Sequence, residues 1–261
     1  MRVLFVGDIV GRPGRRAVAS LVPRIVRERQ VDFVIANGEN AAGGKGITAT
    51  AVDEIIGAGV DVITMGNHVW DNREVFSFID DEPRLIRPAN YPGDCPGQGS
   101  HVYTAGGGVR VGIINLSGRV FMAPLDDPFR MADLLVEDLS HRCDIIIVDF
   151  HAEATSEKQA MGWYLDGRVH AVLGTHTHVQ TSDERILPQG TAYITDVGMT
   201  GPADSVLGME RGQALARFLT QRPQRLEVAK GRSQLDAVLL SFDDRTWKAE
   251  SIERLRFWTE A

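Results

Sequence analysis

Five short apolar runs along the chain each end abruptly in a group of polar residues. The runs are rich in Val, Ile and Leu without polar alternation, which is typical of strands buried on both faces of a parallel sheet. The polar residues that follow the runs are mainly Asp, Glu, Asn and His. With their polar ends, the runs cover residues 3–8, 33–40, 62–68, 145–151 and 171–178.

Segments with helical periodicity separate the first three of these strands. Apolar pairs recur every four residues between residues 17 and 26, which predicts a helix with one buried face. A second helix is predicted from about residue 50 to the glycines of residues 57–59, and a third over residues 72–79. This β-α-β-α-β-α order predicts parallel strands, whose carboxyl ends meet at the edge where open α/β folds place their sites.

The second half of the chain predicts a mixture of strands, helices and loops. We find no linker or repeat, and we expect one α/β domain over residues 1–261. The segments 83–99 and 198–208 predict loops. Helices are predicted over 128–140 and 155–164, and strands over 102–105, 109–116, 169–173, 192–194, 225–231, 235–241 and 250–257.

Composition narrows the class of partner. The net charge of -7 argues against a protein that grips long nucleic acids, because such proteins neutralise many phosphates. A single nucleotide remains possible as a substrate. Cys95 and Cys143 form no CxxC pair, so we expect free thiols in a reducing cytoplasm. No apolar run approaches a membrane span or a signal peptide, so no membrane association is expected, and a homo-oligomer stays open.

The polar ends of the strands resemble a known motif set when they are taken in order. Their sequence resembles that of the calcineurin-like metallophosphoesterase superfamily, with two departures. Val10 stands where the first histidine of that pattern is usual, and Glu39 stands where a bridging aspartate is usual. The matching positions are Asp8, Gly38-Glu39-Asn40, Gly66-Asn67-His68, His151, and His176 with His178 after an inserted Thr175.

Two longer stretches sharpen this resemblance. Residues 7–14 (GDIVGRPG) and 37–48 (NGENAAGGKGIT) are similar to the YmdB subfamily of bacterial phosphodiesterases. The resemblance implies a four-layer αββα sandwich with the metal site at the carboxyl ends of the strands. It also implies a centre of two iron or two manganese ions and activity on 2',3'-cyclic nucleotides.

The ligand types are consistent with a two-metal centre. Glu39 is the natural bridge, because each of its two oxygens can hold one cation. Carboxylate, amide and imidazole ligands without thiolates favour iron, manganese, zinc or cobalt. Each residue alone has an ordinary interpretation, such as a cap or a core histidine, but their joint occurrence at five strand ends favours the metals. We assign Asp8 and His178 to one ion, with Asn40 beside it as the resemblance implies, and Asn67, His151 and His176 to the other.

Two residues near the ligands are candidates for direct work on the substrate. His68 follows Asn67 and is predicted to be the general acid for the leaving oxygen or a donor to the phosphoryl oxygens. A structural histidine is the alternative. Lys45 lies in a glycine-rich loop that lacks the Gly-Lys-(Ser/Thr) register of nucleotide triphosphate sites. A contact with substrate phosphate and a solvated loop lysine are both open for Lys45.

These residues together predict hydrolysis of a phosphoester bond. A water or hydroxide held between the two cations would attack phosphorus, and the cations would neutralise the charge that develops. A phosphomonoesterase or protein phosphatase is the alternative among enzymes. A regulatory protein that keeps the metals and acts by contact is the alternative from another class.

Overall fold

The structure is a computed structural model that describes residues 1–260. The helices among these residues are α1 (Gly11–Arg29), α2 (Ala49–Gly57), α3 (Pro128–Ser140), α4 (Thr155–Leu165) and α5 (Arg211–Thr220). The strands are β1 (Arg2–Val6), β2 (Asp8–Ile9), β3 (Phe33–Asn37), β4 (Val62–Thr64), β5 (Leu85–Ile86), β6 (Ser100–Thr104), β7 (Arg110–Ser117), β8 (Ile145–His151), β9 (Ala171–Thr175), β10 (Arg185–Ile186), β11 (Ala192–Ile194), β12 (Met199–Pro202), β13 (Ser233–Phe242) and β14 (Ala249–Trp258).

The strands form two sheets. In the eight-stranded sheet the order is β2-β12-β13-β1-β3-β4-β5, and β14 also pairs with β13. The run from β1 through β3 and β4 to β5 is parallel, as the β-α-β order predicts. The six-stranded sheet has the order β10-β11-β9-β8-β7-β6, with four parallel strands at its centre.

Alternating residues of each central strand enter two different hydrophobic cores. In β1, Val3 and Phe5 pack between the sheets, whereas Leu4 and Val6 pack under α1 and α2. In β8, Ile145 and Ile147 face the same inter-sheet core, whereas Ile146 and Val148 face α3 and α4. Since both faces of each sheet are covered, the strands are continuously apolar. The predicted four-layer αββα sandwich is confirmed.

The first strand divides at Gly7 before it reaches the site. The Gly7 N–H donates to the backbone oxygen of Asp236 in β13 at 2.9 Å. The next two residues, Asp8 and Ile9, pair with β12 instead. A Cβ at Gly7 would lie 2.2 Å from the Gly198 oxygen, so only glycine allows this close approach. The division inserts β12 and places Asp8, which is fully buried, at the carboxyl end of the strand.

Three expectations about local structure were wrong or incomplete, and one helix was not predicted. The predicted loop 198–208 contains β12, and the predicted strand 225–231 has one isolated bridge instead. The predicted helix 72–79 is a shorter 3-10 segment, Arg73–Ser77, capped by Asn72. Helix α5 was not anticipated. None of the helices within residues 1–260 is long and apolar enough to cross a membrane.

Candidate metal centre

The two sheets contribute different ligand atoms to one cluster. The first sheet supplies oxygens and the second supplies imidazole nitrogens, all from the carboxyl ends of strands. The oxygen-bearing residues are Asp8 in β2, Glu39 and Asn40 after β3, and Asn67 after β4; the histidines are His151 at the end of β8, and His176 and His178 after β9. The structure therefore brings together all seven predicted ligands.

Glu39 belongs to both groups of side chains that could hold a cation. One group is Glu39 with His151 and His176, and the other is Glu39 with Asp8 and His178. In each group the candidate ligand atoms lie within 4.8 Å of one another. Glu39 Oε1 is 3.1 Å from His151 Nε2, while Oε2 accepts from the backbone N–H of His68 at 3.1 Å. This arrangement agrees with a bridging role for Glu39.

The two asparagines extend these groups as predicted. Asn67 Oδ1 lies 3.1 Å from His151 Nε2, on the side of the first group. Asn40 Oδ1 lies 3.2 Å from His178 Nε2, on the side of the second. The Asn40 amide nitrogen donates to the Gly44 oxygen at 3.2 Å, which orients Oδ1 toward the cluster.

The hydrogen-bonding balance of the cluster favours cations. The buried Asp8 Oδ1 accepts no hydrogen bond, although an unpaired buried carboxylate oxygen is costly. His151 Nε2 lies within 3.1 Å of Glu39 Oε1 and Asn67 Oδ1, and 3.0 Å from His176 Nδ1. One ring nitrogen has at most one proton and cannot satisfy three neighbours. These oxygen and nitrogen atoms fit a pair of divalent cations.

Burial and the charges within the cluster shift the pKa values of its members. Burial raises the pKa of Asp8 well above its usual value. Burial also acts on Glu39, but the adjacent His151 outweighs it and lowers the Glu39 pKa to about 2. Burial opposes the charge on His151, yet Glu39 raises the pKa of that imidazole to about 9. Burial and the His151 charge lower the pKa of His176 to about 3.

A buried hydrogen-bond chain holds His151 from behind. Thr175 Oγ1 donates to Asp149 Oδ1 at 2.7 Å and lies 2.8 Å from His151 Nδ1. Because its proton goes to Asp149, the hydroxyl accepts from His151 Nδ1–H. Asn37 Nδ2 donates to the other Asp149 oxygen at 3.1 Å. The chain leaves His151 Nε2 as the atom available for a cation, an orientation typical of metal-binding histidines.

A second buried contact holds the turn that carries the other two histidines. His176 and His178 have positive φ values of 98° and 63°, which residues with a Cβ adopt only under constraint. Between them, the Thr177 N–H and hydroxyl donate to Asp196 Oδ2 at 3.0 and 2.6 Å. Lys158 Nζ donates to the same oxygen at 2.7 Å. The buried Lys158–Asp196 pair thus fixes the turn.

Comparison with known proteins now places the chain in a family. A model of the family described as YmdB-like protein matches residues 4–255. The chain belongs to the YmdB-like family. Over 255 residues it is 55% identical to the 2',3'-cyclic-nucleotide 2'-phosphodiesterase of Bacillus subtilis (strain 168), covering 98% of this chain and 96% of that relative. The predicted subfamily is confirmed.

Two solved structures support the fold. A novel phosphatase from Mycoplasma pneumoniae matches with a TM-score of 0.93 and 37% identity, over 99% of this chain and 93% of that chain. The calcineurin-like phosphoesterase YfkN from Bacillus subtilis shares the fold alone, with a TM-score of 0.58 and 12% identity over 98% and 90% of the two chains. The sandwich of this YmdB-like chain is therefore that of the metallophosphoesterases.

Val10 occupies the position where the wider superfamily usually places a histidine. Its side chain is fully buried and packs toward a later segment of the chain. A Cβ on Gly208 would lie 2.6 Å from Val10 Cγ1, and one on Gly201 would lie 3.0 Å from Val10 Cβ. In this YmdB-like chain, position 10 therefore supports the segment 201–208 and adds no ligand atom.

His68 and Lys45 lie beside the cluster but belong to neither ligand group. His68 Nδ1 is 2.9 Å from Asp71 Oδ2, and its side chain is 22% exposed at the edge of the site. Lys45 is 66% exposed, with Nζ 3.9 Å from the same Asp71 oxygen. The geometry agrees with a substrate-facing His68 and leaves both interpretations of Lys45 open.

A cleft of about 420 Å³ opens over the candidate metal centre. On one side it is lined by Glu39, Asn40, His68, His176 and His178. Most of the rest of its lining comes from the 206–209 turn, α5 and Leu226, and these residues were not predicted from the sequence. A signal for α5 was present, since Ala214, Leu215, Phe218 and Leu219 recur at helical spacing after Glu210, which caps the helix.

Proposed function

We propose that the chain is a dinuclear metal-dependent phosphodiesterase that hydrolyses 2',3'-cyclic nucleotides. The observation that carries this proposal is Glu39, which both ligand groups share at the carboxyl edge of the sheets. The 55% identity to a curated 2',3'-cyclic-nucleotide 2'-phosphodiesterase supports the substrate class. The ligands are Asp8, Glu39, Asn40 and His178 for one ion and Glu39, Asn67, His151 and His176 for the other.

The cations, when bound, supply a water of lowered pKa and neutralise charge on the phosphoryl oxygens. The chain supplies the rest of the reaction. His68 donates a proton to the ribose oxygen as its bond to phosphorus breaks, and the oxygen of a water bonds to phosphorus. The proton that this water loses passes to solvent, from which His68 is reprotonated. The product is a nucleoside monophosphate. The Asp71 carboxylate, 2.9 Å from His68 Nδ1, orients the ring.

The identity of the metal is also a proposal, and iron or manganese is our assignment. Oxygen and imidazole ligands without thiolates suit both. The test is metal analysis of protein purified without a metal-affinity column, paired with turnover on cyclic nucleotides and monoesters. We expect two ions per chain and faster hydrolysis of 2',3'-cyclic nucleotides. Turnover of monoesters alone would contradict the phosphodiesterase proposal and favour the phosphomonoesterase.

The chain's partners and setting follow from fewer observations. The cleft over the centre has the size of a small-molecule site, so the substrate is a small phosphoester. Cys95 and Cys143 are free, which supports a reducing cytoplasm.

The pairing of β1 with β13 supports a single domain over residues 1–261. The ligand set is nearly full, with Val10 the one position that lacks its usual ligand, and this favours catalysis over a role by contact alone.

A further inference from the structure

The cleft lining outside the metal cluster forms an apolar wall. Its apolar lining residues come from the 206–209 turn, from α5 and from the segment after it. They are Val206, Leu207, Met209, Ala214, Phe218 and Leu226. Water, a cyclic phosphate and a ribose would gain little from such a surface. The wall would instead suit an apolar part of a ligand.

The 206–209 turn is held in place by several backbone contacts. Val206 and Met209 exchange backbone hydrogen bonds of 2.9 and 3.0 Å. The Gly208 N–H donates to Ser205 Oγ at 2.9 Å, and the Gly208 oxygen accepts from Ala229 at 2.9 Å. These contacts hold Leu207 at a φ of 51°, a conformation that is strained for a residue with a Cβ. The turn is thus a fixed part of the cleft.

Helix α5 adds an aromatic ring and a guanidinium to the same wall. Phe218 lines the cleft and 70% of its surface is exposed, so its ring is accessible to a ligand. Arg217 lines the cleft beside it. Within residues 1–260, no carboxylate lies at salt-bridge distance from Arg217. The guanidinium is therefore available for a ligand.

We infer that this wall is the base-binding subsite, in which Phe218 stacks on the nucleobase and Arg217 donates to acceptors on the base edge. The inference rests on the proposed function. In a 2',3'-cyclic nucleotide the phosphate and the base leave different carbons of the ribose ring. Because both sets of residues line one cleft, a ligand whose phosphate lies at Glu39 and His178 can present the flat face of its base to the apolar wall.

The chemistry of the wall also predicts how selective the subsite is. Stacking on a phenyl ring tolerates every base, because every base has a π face. Arg217 is the one charged donor on the wall, and each of the four bases has acceptor atoms on its edge that can accept a hydrogen bond from a guanidinium. We expect the 2',3'-cyclic phosphates of adenosine, guanosine, cytidine and uridine to be hydrolysed with similar kcat/KM.

The test compares a substrate that has a base with one that does not. The two substrates are 2',3'-cyclic AMP and methyl riboside 2',3'-cyclic phosphate, and the enzyme is loaded with metal. Phe218→Ala should lower kcat/KM for cyclic AMP roughly 5- to 100-fold, mainly through KM, as expected for one lost stacking contact. Phe218→Ala should leave kcat/KM for the base-free substrate unchanged. Phe218→Trp, which keeps an aromatic ring, should restore the higher kcat/KM for cyclic AMP.

Leu219→Ala is the matched control, because Leu219 is 83% exposed on the same helix and does not line the cleft. An equal loss on both substrates, or an equal loss in Leu219→Ala, would overturn the assignment and point instead to a contact between copies through α5. Sedimentation of the variants identifies that case.

Product binding separates this inference from the proposed function. Calorimetry should show that the wild type binds adenosine 3'-phosphate more tightly than methyl riboside 3'-phosphate, and that Phe218→Ala removes the preference. This preference without any turnover of cyclic substrates would contradict the proposed function and support the subsite. Turnover of cyclic AMP with no base preference in binding would overturn the subsite alone.

Discussion

The two sheets hold their halves of the candidate centre in different ways. On the oxygen side, Asp8 and Glu39 are positioned mainly by the backbone, through the division of the first strand and the N–H of His68. On the nitrogen side, His151 rests on a chain of buried polar side chains that ends at Asp149. Each ligand group nevertheless combines both sides. A cation held by either group would have ligands from both sheets, so loss of either side should affect the whole centre.

The shared carboxylate on the oxygen side should show the largest effect. Glu39→Gln keeps the shape but removes the negative charge common to both groups. We expect loss of at least one metal and of nearly all hydrolysis, measured by metal analysis and turnover. Glu153→Gln is the matched control, because Glu153 lies 3.0 Å from His176 Nε2 but is half exposed and in neither group. Full metal content with normal turnover in Glu39→Gln would show that Glu39 is not the bridging ligand.

His68 tests whether every polar residue at the oxygen-side strand ends is a ligand. We expect His68→Ala to retain both metals and to lose about 10²–10⁴-fold in rate, the usual effect of removing a general acid. The loss should be smaller for a nitrophenyl ester, whose leaving oxygen departs without a proton. A metal-free variant would instead make His68 a ligand. An equal loss on both substrates would assign it to the phosphoryl oxygens.

Thr175 tests the polar support on the nitrogen side. Thr175→Val keeps the shape and leaves His151 Nδ1 without its partner. We expect metal affinity or activity to fall about 10- to 100-fold, as for other residues that orient a ligand histidine. Thr200→Val is the control, because the buried Thr200 hydroxyl has no hydrogen-bond partner. Competition with a chelator measures the affinity. Equal affinities in the two variants would show that the Thr175 contact does not support the metal.

Lys45 should give the smallest effect, because its side chain is 66% exposed and belongs to neither ligand group. If it attracts the phosphate, Lys45→Ala raises KM less than about tenfold with kcat unchanged, and the change shrinks as salt screens the charge. Kinetics at low and high ionic strength check this. A KM that is unchanged at low salt would make Lys45 a solvated loop residue.

Local patterns carried most of the information about the ligands. Parallel strands buried on both faces appear in the sequence as continuous apolar runs, and the first polar residue after a run marks the carboxyl end of that strand. For this reason Asp8, Glu39 and His151 could be predicted as neighbours without a structure. The hydrogen bonds that hold His151 could not be predicted in the same way. Asp149 and Thr175 lie within apolar strands, and their contact depends on the pairing of β8 with β9.

The missed elements lie where long-range pairing decides the local structure. Residues 199–202 include glycine and proline, which favour a loop, but they become β12 because β2 and β13 lie on either side. The cleft wall was missed for a related reason. Its residues come from a turn, a helix and a following segment whose proximity to His178 is not encoded in any one of them.

The pairing of β1 with β13 has a consequence for the order of events during synthesis. Arg2 lies opposite Ser241, and Asp8 owes its place to β12 and, through Gly7, to β13. Strands so distant along the chain meet only after most of the polypeptide has left the ribosome, and such non-local pairings form slowly. The growing chain therefore carries most of its ligands for a long period without an assembled centre. A polypeptide that terminates before residue 233 lacks β13, so prematurely ended products should be free of hydrolase activity in the cell.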